Sequence, residues 1–226
     1  MVKEQIDTVR ARIKAACIRA GRDPKEVTLV AVSKTKPIEL IQEAYEEGIR
    51  DFGENKVQEI IEKQKAMADD IRWHMIGHLQ RNKVKQVIGK AVLIHSVDSI
   101  RLAEQIEEEA AKQNMVVDIL LEVNVAKEES KYGFLLEETE DAILKINKFS
   151  HIKLRGLMTI APFVENSEEN RNVFQKLFQF YVDMKSKNID NVNMDMLSMG
   201  MSGDYEVAIE EGATIVRVGT NIFGAR

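Results

Sequence analysis

Along almost the whole chain, short runs rich in valine, isoleucine and leucine alternate with stretches in which apolar residues recur every three or four positions. The runs read as buried strands and the stretches as amphipathic helices, an alternation that predicts βαβ units around a parallel sheet. After an opening helix over residues 3–20, strands are expected at VTLVAVS (27–33), DFGEN (51–55), WHMIG (73–77), AVLIHS (91–96), VVDILLEVNV (116–125), KLRGLM (153–158), MDMLS (194–198) and TIVRVG (214–219). Between them, SIRLAEQIEEEAAKQ (99–113) sets Ile100, Ala103, Ile106 and Ala110 on one face, and NVFQKLFQFYVDMKS (172–186) does so with Phe174, Leu177, Phe178 and Tyr181. The segment APFVENSEE (161–169) has neither period and reads as a long loop after the sixth strand.

Eight strand-helix units in 226 residues suit a closed barrel. The expected fold is therefore α/β: a single-domain (β/α)8 TIM barrel over residues 1–226 with an extra N-terminal helix, an open doubly wound sheet being the alternative. Only three prolines occur and no Pro, Gly or Ser-rich linker offers a domain boundary.

Composition narrows the partners. A net charge of −5 argues against nucleic acid and anionic membrane, both of which call for concentrated positive charge. Arg81, Lys83, Lys85 and Lys90 form a local basic cluster, read as a solvated helix face. The N-terminus MVKEQIDTVRARIK lacks the unbroken apolar stretch of a signal peptide, and no run approaches the roughly 20 apolar residues that span a bilayer. Cys17, the single cysteine, falls in an apolar helical register with Ile13, so a reducing compartment, the cytoplasm, is expected.

In a barrel, functional groups collect at the C-terminal ends of the strands. Lys34, in LVAVSKTKP, stands at the first of these, just ahead of a helix expected to open on Pro37. Desolvation there would favour a neutral amine able to attack an aldehyde. Lys36 shares its parity, but lies in the turn before Pro37 and reads as more mobile and solvated. The segments LSMGMSGD (197–204) and TIVRVGTNIFG (214–224) place Gly, Ser and Thr after strands seven and eight, where barrels commonly bind phosphate. Neither matches a dinucleotide or triphosphate loop, so a single phosphate is expected. Arg217 shares parity with Ile215 and Gly219 and faces the interior, where an arginine without a carboxylate partner favours a ligand. His74 and His78 would stand about 13 Å apart on a strand, too far to share a metal; His74 reads instead as an inward polar group near a ligand.

Taken in order, AVSKTKP, FGEN, WHMIGHLQRNK, RGLMTI, LSMGMSGD and VRVGTNIFGAR resemble the pyridoxal-phosphate homeostasis protein family, relatives of the N-terminal barrel of alanine racemase, from about residue 27 to the C-terminus. The resemblance implies pyridoxal 5′-phosphate as cofactor, with Lys34 forming the internal aldimine. It further implies that Ser198, Gly200, Ser202, Gly219 and Thr220 surround the phosphate, that Arg217 approaches the pyridine nitrogen, and that Asn55 neighbours the ring. Lys131, in KEESKYGF, resembles a family loop lysine near the site.

A reversible condensation suits a carrier that protects the aldehyde and delivers it to apo-enzymes. The enzyme alternative is a small amino-acid racemase. Alanine racemase adds a β domain that supplies a tyrosine base, whereas this chain is expected to end with its barrel at Arg226. An arginine beside the ring nitrogen also disfavours the protonated ring that stabilises carbanions. A third possibility is a barrel binding another phosphorylated metabolite, with Lys34 as a charge contact only.

Overall fold

The computed structural model describes residues 2–128 and 131–225. Strands β1 (Thr28–Val32), β2 (Asp51–Glu54), β3 (Arg72–Met75), β4 (Leu93–Val97), β5 (Val117–Glu122), β6 (Ile152–Met158), β7 (Val192–Met201) and β8 (Ile215–Val218) pair in parallel in that order, and β8 closes on β1. The expected barrel is present rather than the open sheet. Strand pairing runs continuously around it, with Ala31 opposite Phe52 on one side of β1 and Val218 on the other.

Helices return the chain between strands: α2 (Ile38–Glu46), α3 (Val57–Ala66), α4 (Val84–Val87), α5 (Ile100–Lys112), α6 (Leu136–Ile146), α7 (Arg171–Ser186) and α8 (Tyr205–Glu210). The opening helix α1 (Val2–Arg19) buries Ile6, Val9, Ile13, Ala16 and Cys17 on one face and packs against α2, α8 and the short terminal helix α9 (Thr220–Phe223). Pro37 is the cap of α2, one position outside the helix. The basic cluster falls on a 3₁₀ turn, α4 and the turn after it, with Arg81 and Lys85 exposed and Lys83 and Lys90 half-buried. After β6 the chain is irregular to Asn166, then forms a 3₁₀ turn over Ser167–Asn170. Among the described residues no helix is long and apolar enough to cross a membrane.

Parallel strands covered by helices are buried on both faces, which is why they read as continuous apolar runs. Alternation sorts each strand's residues between two cores. The larger core lies between sheet and helices and holds Phe52, Trp73 and Phe174. A smaller cluster of Val30, Leu93, Leu120, Met158 and Ile215, drawn from five strands, fills part of the barrel interior. The residues two positions further along these strands share the inward parity, and three of the five are polar and buried, His95, Glu122 and Arg217, beside Val32 and Ile160.

Candidate functional site

A cavity of about 620 Å³ opens where the strands end, lined by Val32, Asn55, Ile76, Glu122, Ser202 and Gly219 among others. Its size and mixed lining suit one small molecule held by a few placed polar groups. Lys34, Arg217, Gly203 and Thr220 also line it. Of the sequence-predicted residues, Lys34, Asn55, Ser202, Arg217, Gly219 and Thr220 thus come together around one space.

Lys34 sits two residues past β1 in a tight turn in which the Lys36 N–H donates to the Ser33 carbonyl at 3.0 Å. Thr35 occupies the left-handed region at φ +61°, a strained setting for a β-branched residue. What holds it is a buried charge cluster beneath. The Lys63 Nζ donates to the Ser33 carbonyl, Glu54 Oε1 and Glu59 Oε2 at 2.8, 2.8 and 2.9 Å. The Ser33 hydroxyl donates to Glu54 Oε1 at 2.5 Å, and Glu59 Oε2 accepts the Thr35 N–H at 2.7 Å. Residues on both sides of Lys34 are therefore fixed while the lysine itself is half-buried in the cavity wall. Burial pushes the Glu54 carboxyl up to about 7, against the pull of Lys63 and Ser33.

Lys36 departs from its expected mobile, solvated state. Its Nζ donates to the carbonyls of Phe223, Gly224 and Ala225 at 3.0–3.1 Å, where a cation satisfies carbonyls left open at the end of α9.

Arg217 is 4% exposed on β8, and its guanidinium donates to Ser198 Oγ at 2.5 Å and to the Thr159 carbonyl at 2.8 Å. Desolvation pushes its pKa down to about 10, partly offset by the charges of Glu122 and Asp204. Glu122, the last residue of β5, lines the same cavity; burial, reinforced by Asp98, pushes its carboxyl up to about 7, with Arg217 opposing.

Strand β7 runs to Met201, three residues beyond the expected end, and this relocates part of the predicted phosphate cradle. Ser198 and Gly200 lie within the strand and do not line the cavity. The Ser198 hydroxyl is fully buried and engaged by Arg217 and His95. Gly200 sits at φ +90°, where an added Cβ would meet the Ala208 Cβ at 2.5 Å and the Tyr205 Cα at 2.9 Å, so its glycine serves the packing of α8. Ser202 and Gly203 remain at the strand end, and Ser202 Oγ accepts the Gly219 N–H at 3.2 Å, joining the two segments. Gly219 sits close to β1: a Cβ there would meet the Val32 carbonyl at 3.1 Å, a tight contact that would push the strand back by a few tenths of an ångström. Asp204 ties in the long loop, accepting the Met201 N–H at 2.7 Å and the Asn170 amide at 2.8 Å, while that amide also donates to the Pro162 carbonyl.

His74 is inward and buried, as its parity implies, but it lies outside the cavity lining, its ring nitrogens 2.9 Å from His95 Nε2 and 3.0 Å from Asp51 Oδ1. His78 is instead at the mouth, stacked on Tyr132 with ring centroids 4.0 Å apart. Among the described residues no cluster of His, Cys, Asp or Glu could hold a metal. Lys131 also lines the cavity; its Nζ pairs with Glu128 and donates to the Ile160 carbonyl at 3.4 Å. Across the mouth, Phe163 is 99% exposed. Glu122, His95 and the Lys63 cluster were not singled out from sequence, although a charged or imidazole side chain inside an apolar strand run was the available signal.

Residues 5–226 match the family model described as the N-terminal domain of alanine racemase. The chain is 47% identical over 224 residues to the pyridoxal phosphate homeostasis protein of Aquifex aeolicus, covering 99% of this chain and 97% of that one. It is 40% identical to the protein of the same name from Pseudomonas aeruginosa, covering 100% and 96%. Among solved structures, PipY of Synechococcus elongatus with PLP bound is 34% identical at a TM-score of 0.86, covering 99% of this chain and all of that one. Alanine racemase of Clostridium difficile shares the fold at a TM-score of 0.76 and 17% identity, with 100% of this chain and 56% of that one covered. At this identity over full length, the chain belongs to the pyridoxal phosphate homeostasis protein family.

Proposed function

We propose that this chain, acting over residues 1–226 as one barrel domain, binds pyridoxal 5′-phosphate through a Schiff base on Lys34 and serves the supply of that cofactor inside the cell. The observation that carries this reading is the meeting of Lys34, Arg217 and the Ser202–Gly203 and Gly219–Thr220 turns around a single cavity. These groups match the cofactor's parts. The hydroxyls and backbone of the two turns suit the phosphate, Asn55 and Arg217 suit the ring, and Lys34 is the amine. The bound group would supply reversible condensation of its aldehyde with that amine, a C=N bond forming as water leaves. The charge cluster under the turn restricts the motion of Lys34. Glu122 and Arg217 give the cavity a neutralisable acid and a fixed cation, and the long loop tied to Asp204 lines one side of it. Ser198, Gly200 and His74 support this lining from behind. Apo-enzymes that receive the cofactor are the proposed partners and the cytoplasm the proposed setting, which the buried thiol of Cys17 also suits.

Little or no amino-acid turnover is part of the proposal. Relatives are named for homeostasis rather than for a reaction, and an arginine beside a pyridine nitrogen weakens it as an electron sink. Purified protein mixed with pyridoxal phosphate is expected to develop a visible absorbance band, and borohydride followed by peptide mass spectrometry to place the label on Lys34. Lys34→Ala is expected to lose both. Labelling scattered over surface lysines would overturn the reading, and amino-acid racemisation well above that of free cofactor, abolished by Lys34→Ala, would replace the carrier with an enzyme.

A further inference from the structure

The barrel interior carries a polar column that reaches far beyond the cavity. It begins at Arg72, whose exposed guanidinium donates to Asp51 through Nε at 2.8 Å and Nη2 at 2.5 Å. Asp51 Oδ1 is 3.0 Å from His74 Nε2, His74 Nδ1 is 2.9 Å from His95 Nε2, and His95 Nδ1 is 2.9 Å from Ser198 Oγ. Ser198 Oγ in turn accepts from Arg217, which lines the cavity. Asp51, His74, His95 and Ser198 are all buried, and they come from β2, β3, β4 and β7. Asp51 and Arg72 open β2 and β3 at the N-terminal ends of the strands, while Arg217 lines the cavity at their C-terminal ends.

Its two ends fix its direction. Arg217 can only donate, and Asp51, held below the usual carboxylate range by His74 and Arg72 against desolvation, can only accept. Burial, with His74 and Arg217 beside it, keeps His95 neutral, so only one of its nitrogens carries hydrogen. With a single hydrogen on each imidazole, one arrangement then satisfies every atom. The Ser198 hydroxyl donates to His95 Nδ1, His95 Nε2–H donates to His74 Nδ1, and His74 Nε2–H donates to Asp51. The reverse arrangement would set the His74 Nε2 lone pair against a carboxylate oxygen unless a further proton entered, and would deprive the Ser198 hydroxyl hydrogen of His95 as its acceptor.

We propose that Asp51, His74, His95 and Ser198 are positioning residues, a one-directional hydrogen-bond chain that sets the guanidinium of Arg217 in the cavity wall from the opposite end of the barrel. The consequence for pyridoxal phosphate rests on the cofactor reading above; the direction of the chain does not.

The test uses the full-length protein. Nitrogen NMR of the histidine rings, without added cofactor, is expected to show hydrogen on Nε2 and a lone pair on Nδ1 for both His74 and His95. Asp51→Asn, whose amide can donate as well as accept, is expected to shift both rings toward the Nδ1–H form. It should also move the visible band of bound pyridoxal phosphate and weaken its binding several-fold, although Asp51 lies outside the cavity. Ser198→Ala should alter band and affinity in the same sense and Ser198→Thr, which restores the hydroxyl, should return them, a pair that decides the matter if Asp51→Asn does not fold. Nδ1–H tautomers in the wild type, or a Ser198→Ala protein with wild-type band and affinity, would overturn the chain. If the wild type forms no band, the cofactor reading falls and the tautomers alone judge the column.

Discussion

Glu122 closes β5 and projects into the cavity wall, and its raised carboxyl has a definite thermodynamic sign. The folded protein holds its proton up to about 7, whereas the unfolded chain releases it near the ordinary 4.5. Between those values the folded state binds the extra proton, so the stabilising contribution is complete below 4.5 and is lost as pH rises through 7. At most about 1.4 kcal/mol per pH unit is at stake in that window. Glu122→Gln, neutral throughout, is expected to lose less stability than wild type between these limits, measured as urea midpoints across pH. Glu54 titrates in the same range in both proteins, so the difference between the two curves isolates Glu122. Parallel curves would place the Glu122 proton elsewhere. At this scale parity carried the sequence reading of Arg217, while Lys34 was told from Lys36, which shares its parity, by its position ahead of the turn to Pro37. Parity failed for His74, whose inward direction was legible but whose depth in the barrel was not, because depth depends on strand stagger and on which partner completes the layer.

The element that presents Lys34 is the β1–α2 connection, and its order comes from α3 rather than from its own sequence. Lys63 bridges the Ser33 carbonyl, Glu54 and Glu59, so Lys63→Met would leave Glu54, fully buried, without its cation. Removing one partner of a buried pair costs up to about 3–5 kcal/mol, an upper bound here because Glu54, already pushed up to about 7, takes up a proton once its cation is gone. Chemical denaturation of Lys63→Met is expected to show a loss within that bound, and the Lys63→Met, Glu54→Leu double variant to recover part of it. Borohydride labelling of Lys34 should fall in both, since the turn is loosened in both; full labelling would show that the turn orders itself. The sequence hid this cluster because its members come from three separate elements, and only the turn itself announces chemistry. Strand β7 was misread for another reason. Its Gly200 looks like a strand breaker, yet the close approach of Ala208 and Tyr205 requires glycine inside the strand. That single difference moved Ser198 from the expected phosphate cradle to the wall behind Arg217.

Across the whole molecule, eight buried parallel strands left so regular a trace that barrel closure was legible, while the division of its interior was not. One part of that interior is apolar, built on Val30, Leu93, Leu120, Met158 and Ile215; another is the polar column from Asp51 to Arg217. The cavity stands where both end, so ligand binding should report on the fold as a unit. A ligand that binds only the folded state at about 100 times its Kd stabilises it by about 2.7 kcal/mol, roughly 5–10 °C in melting temperature for a chain of this size. Pyridoxal phosphate is expected to raise the wild-type midpoint more than pyridoxine 5′-phosphate, which shares ring and phosphate but lacks the aldehyde. In Lys34→Ala the two should give equal, smaller shifts, because only the non-covalent contacts of the two turns, Asn55 and Arg217 remain. Equal shifts in the wild type would mean that the cavity recognises ring and phosphate alone, with Lys34 acting as a charge contact.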